Sequence, residues 1–106
     1  MRPKWFVIVA VLAMAAACGG SSSSGPQVTI REFSFSPSTM QIKAGTTVTW
    51  TNRDEDAHTV AISGSPVSRP LQTGETYTHT FAQPGTYSYL CTIHPTMRGT
   101  VVVTAG

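Results

Sequence analysis

Residues 85–103 read GTYSYLCTIHPTMRGTVVV. Tyr87, Tyr89 and Cys91 fall at every second position, with Ser88 and Leu90 between them, and Val101 and Val103 resume the same period further on. A period of two sends alternate side chains to opposite faces, which predicts half-buried strands. Between the two runs, Cys91, His94 and Met97 stand at three-residue intervals. The stretch therefore predicts two strands joined by a tight loop that carries a thiol, an imidazole and a thioether.

The same alternation recurs upstream. Val28 and Ile30 open a first strand with Phe33 at its end. Val48 and Trp50 alternate with threonines, Val60 and Ile62 follow, and Tyr77, His79 and Phe81 alternate with Thr76, Thr78 and Thr80. Threonine, valine and aromatic residues suit a pleated surface buried on one side. Gly and Pro interrupt the pattern at Ser36-Pro37, Ala44-Gly45, residues 63–70, Gly74 and Pro84-Gly85. Short strands at this spacing predict an all-β, antiparallel sandwich or barrel. Trp50, Phe81 and Met40 are expected in its core.

A second stretch, TWTNRDEDAHTVAI over residues 49–62, places His58 just before a strand. With Cys91, His94 and Met97 it completes a set of one thiolate, two imidazoles and one thioether. Soft sulfur ligands beside two His suit a copper ion that serves as both Cu(I) and Cu(II), with Cys and two His in a plane and a long, weak Met bond on the axis. Each residue has a plainer reading when taken alone. A free Cys packs as a small hydrophobe, His58 could lie on a loop beside Asp54-Glu55-Asp56, and Met97 could fill the core. His79 sits mid-strand, matches no ligand position and reads as structural.

These residues, together with Val48-Thr49-Trp50-Thr51-Asn52, His58-Thr59-Val60, Pro84-Gly85-Thr86-Tyr87-Ser88-Tyr89 and Cys91-Thr92-Ile93-His94-Pro95-Thr96-Met97, resemble the cupredoxins of the plastocyanin and amicyanin group. The resemblance covers residues 27–106, and the Cys-x-x-His-x-x-Met spacing is the short, amicyanin-like version. It implies a Greek-key β-sandwich with one type 1 copper ion and single-electron transfer between transient protein partners. On this resemblance His58, Cys91 and His94 are equatorial ligands and Met97 is axial. Asn52 ties the two ligand-bearing loops, and the Thr59 N–H donates to the Cys91 sulfur. His94 is the electron port, flanked by Ile93, Pro95 and Met97. The chain departs from the pattern at Ala57, where related proteins often have Pro before the first His. It departs also at Ile93 and Thr96 in the ligand loop, and at Leu90, where plastocyanins carry an exposed Tyr.

The remaining sequence sets the context. Lys plus Arg number 7 and Asp plus Glu 5, and from Cys18 onward the basic and acidic residues balance at five each. A neutral body with dispersed charge does not offer the clustered basic face that nucleic acid requires. Two cysteines in the whole chain exclude a scaffold of several disulfides. Arg2 and Lys4 precede a thirteen-residue apolar run over residues 5–17. Crossing a bilayer as a helix takes about 20 such residues, so residues 1–17 read as a secretory signal. Ala15-Ala16-Ala17-Cys18-Gly19 resembles a bacterial lipoprotein box, which implies that Cys18 is lipidated and holds the protein at a membrane outside the cytoplasm. Residues 18–26, CGGSSSSGP, read as a flexible tether to a domain spanning 27–106.

The leading functional expectation is thus a membrane-tethered, monomeric copper electron shuttle rather than an enzyme. A copper-binding module for delivery or storage is the alternative. A cysteine hydrolase built on Cys91 and a His lacks a Gly-rich oxyanion loop, and the thioether of Met97 suits zinc poorly.

Overall fold

The computed structural model describes residues 25–106. The expected signal, Cys18 and the tether up to residue 24 lie outside the described residues. Eight strands follow one another: β1 (Gln27–Arg31), β2 (Ser34–Ser36), β3 (Thr39–Lys43), β4 (Thr46–Asn52), β5 (Ala61–Ile62), β6 (Thr76–Phe81), β7 (Gly85–Leu90) and β8 (Arg98–Thr104). They form two four-stranded sheets, in the orders β2-β1-β4-β6 and β3-β8-β7-β5. The all-β sandwich is as expected. Its sheets are mixed rather than wholly antiparallel, because β1 runs parallel to β4 and β3 parallel to β8. Side-chain alternation is the same in either direction, so a period of two carries no information about strand polarity. After the β1–β2 hairpin the chain crosses to the opposite sheet for β3 and returns as β4, which frees β4 from the antiparallel pairing a tight hairpin imposes.

Alternation places the core. Val48, Trp50 and Asn52 point inward from β4, Val28 and Ile30 from β1, and Val101 and Val103 from β8. Trp50 is fully buried and packs edge-on to Tyr89, with ring centroids 5.3 Å apart. Phe81 is buried and Met40 packs against the core cluster, both as expected. Gly45 turns the chain from β3 into β4 with φ +94°, and its N–H donates to the Phe81 carbonyl at 2.7 Å. The Tyr87 hydroxyl donates to the Gln83 carbonyl at 2.8 Å and fixes the corner that precedes β7.

Two local expectations need correction. Phe33 does not close β1. With Glu32 it forms a two-residue turn to β2, and both have left-handed backbones, φ 57° and 53°. Neither has the glycine freedom such turns favour, so each costs about 1–2 kcal/mol. The strand expected through Val60 and Ile62 shortens to Ala61–Ile62, because Val60 is engaged with the following loop. Its N–H donates to the Ser68 hydroxyl, and its carbonyl accepts the Ser68 N–H.

Gly99 stands opposite Tyr89 across β7 and β8, and a Cβ there would overlap the Tyr89 phenol. Glycine in a strand costs about 0.5–1 kcal/mol relative to Ala, whereas forcing a methyl into a packed core costs about 1–3 kcal/mol. The overlap wins. Gly99→Ala is therefore expected to lower the unfolding free energy in urea, and an unchanged or raised midpoint would contradict this packing.

Candidate metal centre

Two segments converge at one end of the sandwich. The first is the chain after β4. His58 forms an antiparallel bridge with Leu71, in which the His58 N–H donates to the Leu71 carbonyl at 3.1 Å and the Leu71 N–H donates back at 2.7 Å. Asn52, the last residue of β4, is fully buried. Its amide donates to the carbonyls of Asp56 and Leu71 at 2.9 and 2.8 Å, and its oxygen accepts the Asp54 N–H at 2.8 Å. The acidic loop is thereby folded under the strand end, and His58 is delivered at a fixed height with no exposed surface.

The second segment is the loop between β7 and β8. The Cys91 N–H donates to the Met97 carbonyl at 3.1 Å, and the Met97 N–H donates to the His94 carbonyl at 2.9 Å. These bonds close the loop on itself. Cys91 and Met97 are buried at its two ends, while His94 is half-buried between exposed Ile93 and Pro95.

The ligand atoms of His58, Cys91 and His94 all lie within 4.8 Å of one another. Both imidazoles turn the same nitrogen toward the sulfur, with His58 Nδ1 at 3.7 Å and His94 Nδ1 at 3.9 Å from Cys91 Sγ. Three ligands around a common ion at about 2.0–2.3 Å stand roughly 3.6 Å apart. The residues therefore fit a trigonal metal, and a thiolate with two imidazoles fits copper.

The outer contacts orient these ligands. Thr59 N–H donates to Cys91 Sγ at 3.4 Å, and the Thr59 hydroxyl lies 3.8 Å from the same sulfur. That hydroxyl also accepts the Thr92 N–H at 2.8 Å and shares a 2.8 Å bond with the Thr92 hydroxyl. On the other side, His58 Nε2 lies 2.9 Å from Asp54 Oδ2. A carboxylate there holds the Nε2 proton and leaves Nδ1 free for a metal. Partial burial pushes the Asp54 carboxyl up, but N–H bonds from Phe33 and Glu32 and the contact with His58 outweigh it, and its pKa is lowered.

With this geometry in hand, the chain matches the cupredoxin-like domain family over residues 5–103. It belongs to that family. This cupredoxin is 42% identical over 83 residues to amicyanin-alpha of Methylorubrum extorquens, covering 73% of this chain and 70% of that protein. It is 38% identical over 82 residues to amicyanin of Paracoccus denitrificans, covering 72% and 63%, so it spans under two thirds of that relative. Among solved structures, a Cu(I) form of an amicyanin variant superposes with a TM-score of 0.73 at 32% identity, covering 78% of this chain and 85% of that one. A purple cupredoxin from Nitrosopumilus maritimus gives 0.71 at 33% identity, covering 74% and 99%.

The fold brings together His58, Cys91 and His94, with Met97 buried at the end of their loop. His79 lies apart on β6 against Phe81, at a centroid distance of 4.7 Å. The Thr59 N–H is directed at the Cys91 sulfur. On the resemblance, Asn52 is expected to tie the two ligand-bearing loops. All three of its side-chain bonds stay on the His58 side of the site, and the tie between the two ligand-bearing segments is Thr59. The amide of Asn52 is taken up by the carbonyls of Asp56 and Leu71, whereas Thr59, adjacent to His58, bonds to Cys91 and Thr92 of the loop. The contributions of Asp54, Thr92 and Phe33 were not foreseen. An acidic residue four positions before the His was the available signal for Asp54.

Thr59→Val keeps the shape of the side chain but leaves the Thr92 N–H without its acceptor. The expected cost to the metal-free protein is about 1 kcal/mol in urea unfolding. A variant as stable as the parent would show that Thr59 does not join the two segments.

Proposed function

We propose that this protein carries single electrons between transient redox partners outside the cytoplasm, through one copper ion held by His58, Cys91 and His94 with Met97 on the axis. The observation that carries this reading is the convergence of both Nδ1 atoms on a fully buried Cys91 sulfur. Related amicyanin structures are described in Cu(I), reduced and oxidized forms, so the same framework accommodates both states there. Bound copper would supply the one-electron couple. The chain's own residues hold the ligands in a single geometry, so little rearrangement accompanies the change of charge.

Cys91, His58 and Asp54 also form a thiol–imidazole–carboxylate series of the kind used in nucleophilic catalysis. Burial argues against that use, since a sulfur with 0% exposure meets no substrate, and a second imidazole faces it. Half-buried His94, with exposed Ile93 and Pro95 beside it, supports an electron port at this end of the sandwich. Met97 is buried and takes no part in that rim. The reading includes a monomer tied to a membrane through lipidated Cys18, which rests on the sequence around residues 15–19.

Two measurements test the reading. Voltammetry of the copper-loaded protein is expected to show a reversible one-electron wave, with copper retained against a chelator in both states. Ready transfer of copper to the chelator would point to delivery or storage instead. Met97→Leu is expected to keep copper and shift the potential, because only the weak axial bond is lost. A variant with unchanged potential would remove Met97 from the ligand set.

A further inference from the structure

The turn between β1 and β2 places two residues with side chains, Glu32 and Phe33, in the left-handed region. Backbone strain of this kind persists only where the surroundings enforce it, and it clusters at functional positions. Asp54 is what enforces it here. Its Oδ1 accepts the Glu32 N–H at 2.6 Å and its Oδ2 accepts the Phe33 N–H at 2.9 Å. That same Oδ2 lies 2.9 Å from His58 Nε2. One carboxylate therefore fixes both the turn and a ligand ring.

The strained turn determines where Phe33 goes. Its ring stands at right angles to both imidazoles, with centroids 5.3 Å from His58 and 4.8 Å from His94, and those two rings are 5.0 Å from each other. Yet Phe33 is 47% exposed. Burial of its own surface does not account for holding a phenylalanine in this conformation, whereas covering the two imidazoles does. A perpendicular ring pair is a favoured aromatic arrangement with a defined geometry, so it restricts rotation of both imidazoles.

We propose that Phe33 is a positioning residue: held by the Asp54-clamped turn, its ring locks the orientation of His58 and His94 and excludes water and small ligands from the space they share with Cys91. The inference rests on the copper reading above. With a thiolate and two neutral imidazoles, the oxidised site carries one more positive charge than the reduced one. An apolar cover disfavours the more charged state, because the apolar surroundings of a metal set its solvent access and its potential. The cover therefore raises the potential.

Phe33→Gly removes the ring and suits the left-handed backbone, so the fold is expected to persist. Three readouts follow. The potential falls, the affinity for copper in competition with a chelator drops about 10-fold, and Cys91 of the metal-free protein reacts faster with a thiol reagent. Phe33→Tyr keeps the ring and is expected to restore all three. Glu32→Gly relaxes the turn but leaves the ring, and is expected to match the parent. A Phe33→Gly protein indistinguishable from the parent overturns the proposal. So does a Glu32→Gly protein that changes as much, since the turn alone would then matter. Parent protein that takes up no copper refutes the copper reading instead, and the thiol reaction of the metal-free variants still judges the cover.

Discussion

The site depends on a single sulfur being approached from two separate segments. Thr59 makes this possible. Its N–H points at Cys91 and its hydroxyl holds Thr92, so the strand-side segment bearing His58 and the loop bearing His94 are bound to each other beside the sulfur. Without that tie the loop between β7 and β8 would be closed only on itself. With it, the ligand atoms stand at metal-bridging distances through the protein's own hydrogen bonds. Such a site resists the preference of either oxidation state, which is the property an electron carrier needs.

The sandwich supplies the rigidity behind this arrangement. Trp50 and Tyr89 meet edge-on between the sheets, and Gly99 leaves room for the Tyr89 phenol two residues before Cys91. The position of the sulfur is therefore set by core packing, while that of His58 is set by Asn52 and Leu71 at the end of β4. A domain of this size buries a modest core. A metal that binds only the folded state adds to its stability by mass action.

Much of this was legible in the sequence. Alternation at Val48 and Trp50, at Tyr87 and Tyr89, and at Val101 and Val103 pointed to strands that the structure contains, and the spacing of Cys91, His94 and Met97 pointed to the ligand loop. What stayed hidden depends on tertiary contact. β2 has three residues, too few to show a period, and β3 carries a single alternation, Met40 and Ile42, between the breaks at Pro37 and Gly45, while parallel pairing leaves no trace in a period of two. Phe33 read as a strand residue because its side chain is apolar. Only the distant carboxylate of Asp54 explains why the backbone turns there. The resemblance points to Asn52 as a bridge, its side chain bonds to Asp54, Asp56 and Leu71, and the bonds of Thr59 to Thr92 could be seen only once the two segments met.

The central claim is a thiolate and two imidazoles around one copper ion, and the most direct measurement is the absorption and electron paramagnetic resonance spectrum of the oxidised, copper-loaded protein. An intense visible thiolate-to-copper band with a compressed copper hyperfine splitting is the expected result. A colourless protein, or one with the wide splitting of ordinary nitrogen and oxygen coordination, would contradict the account.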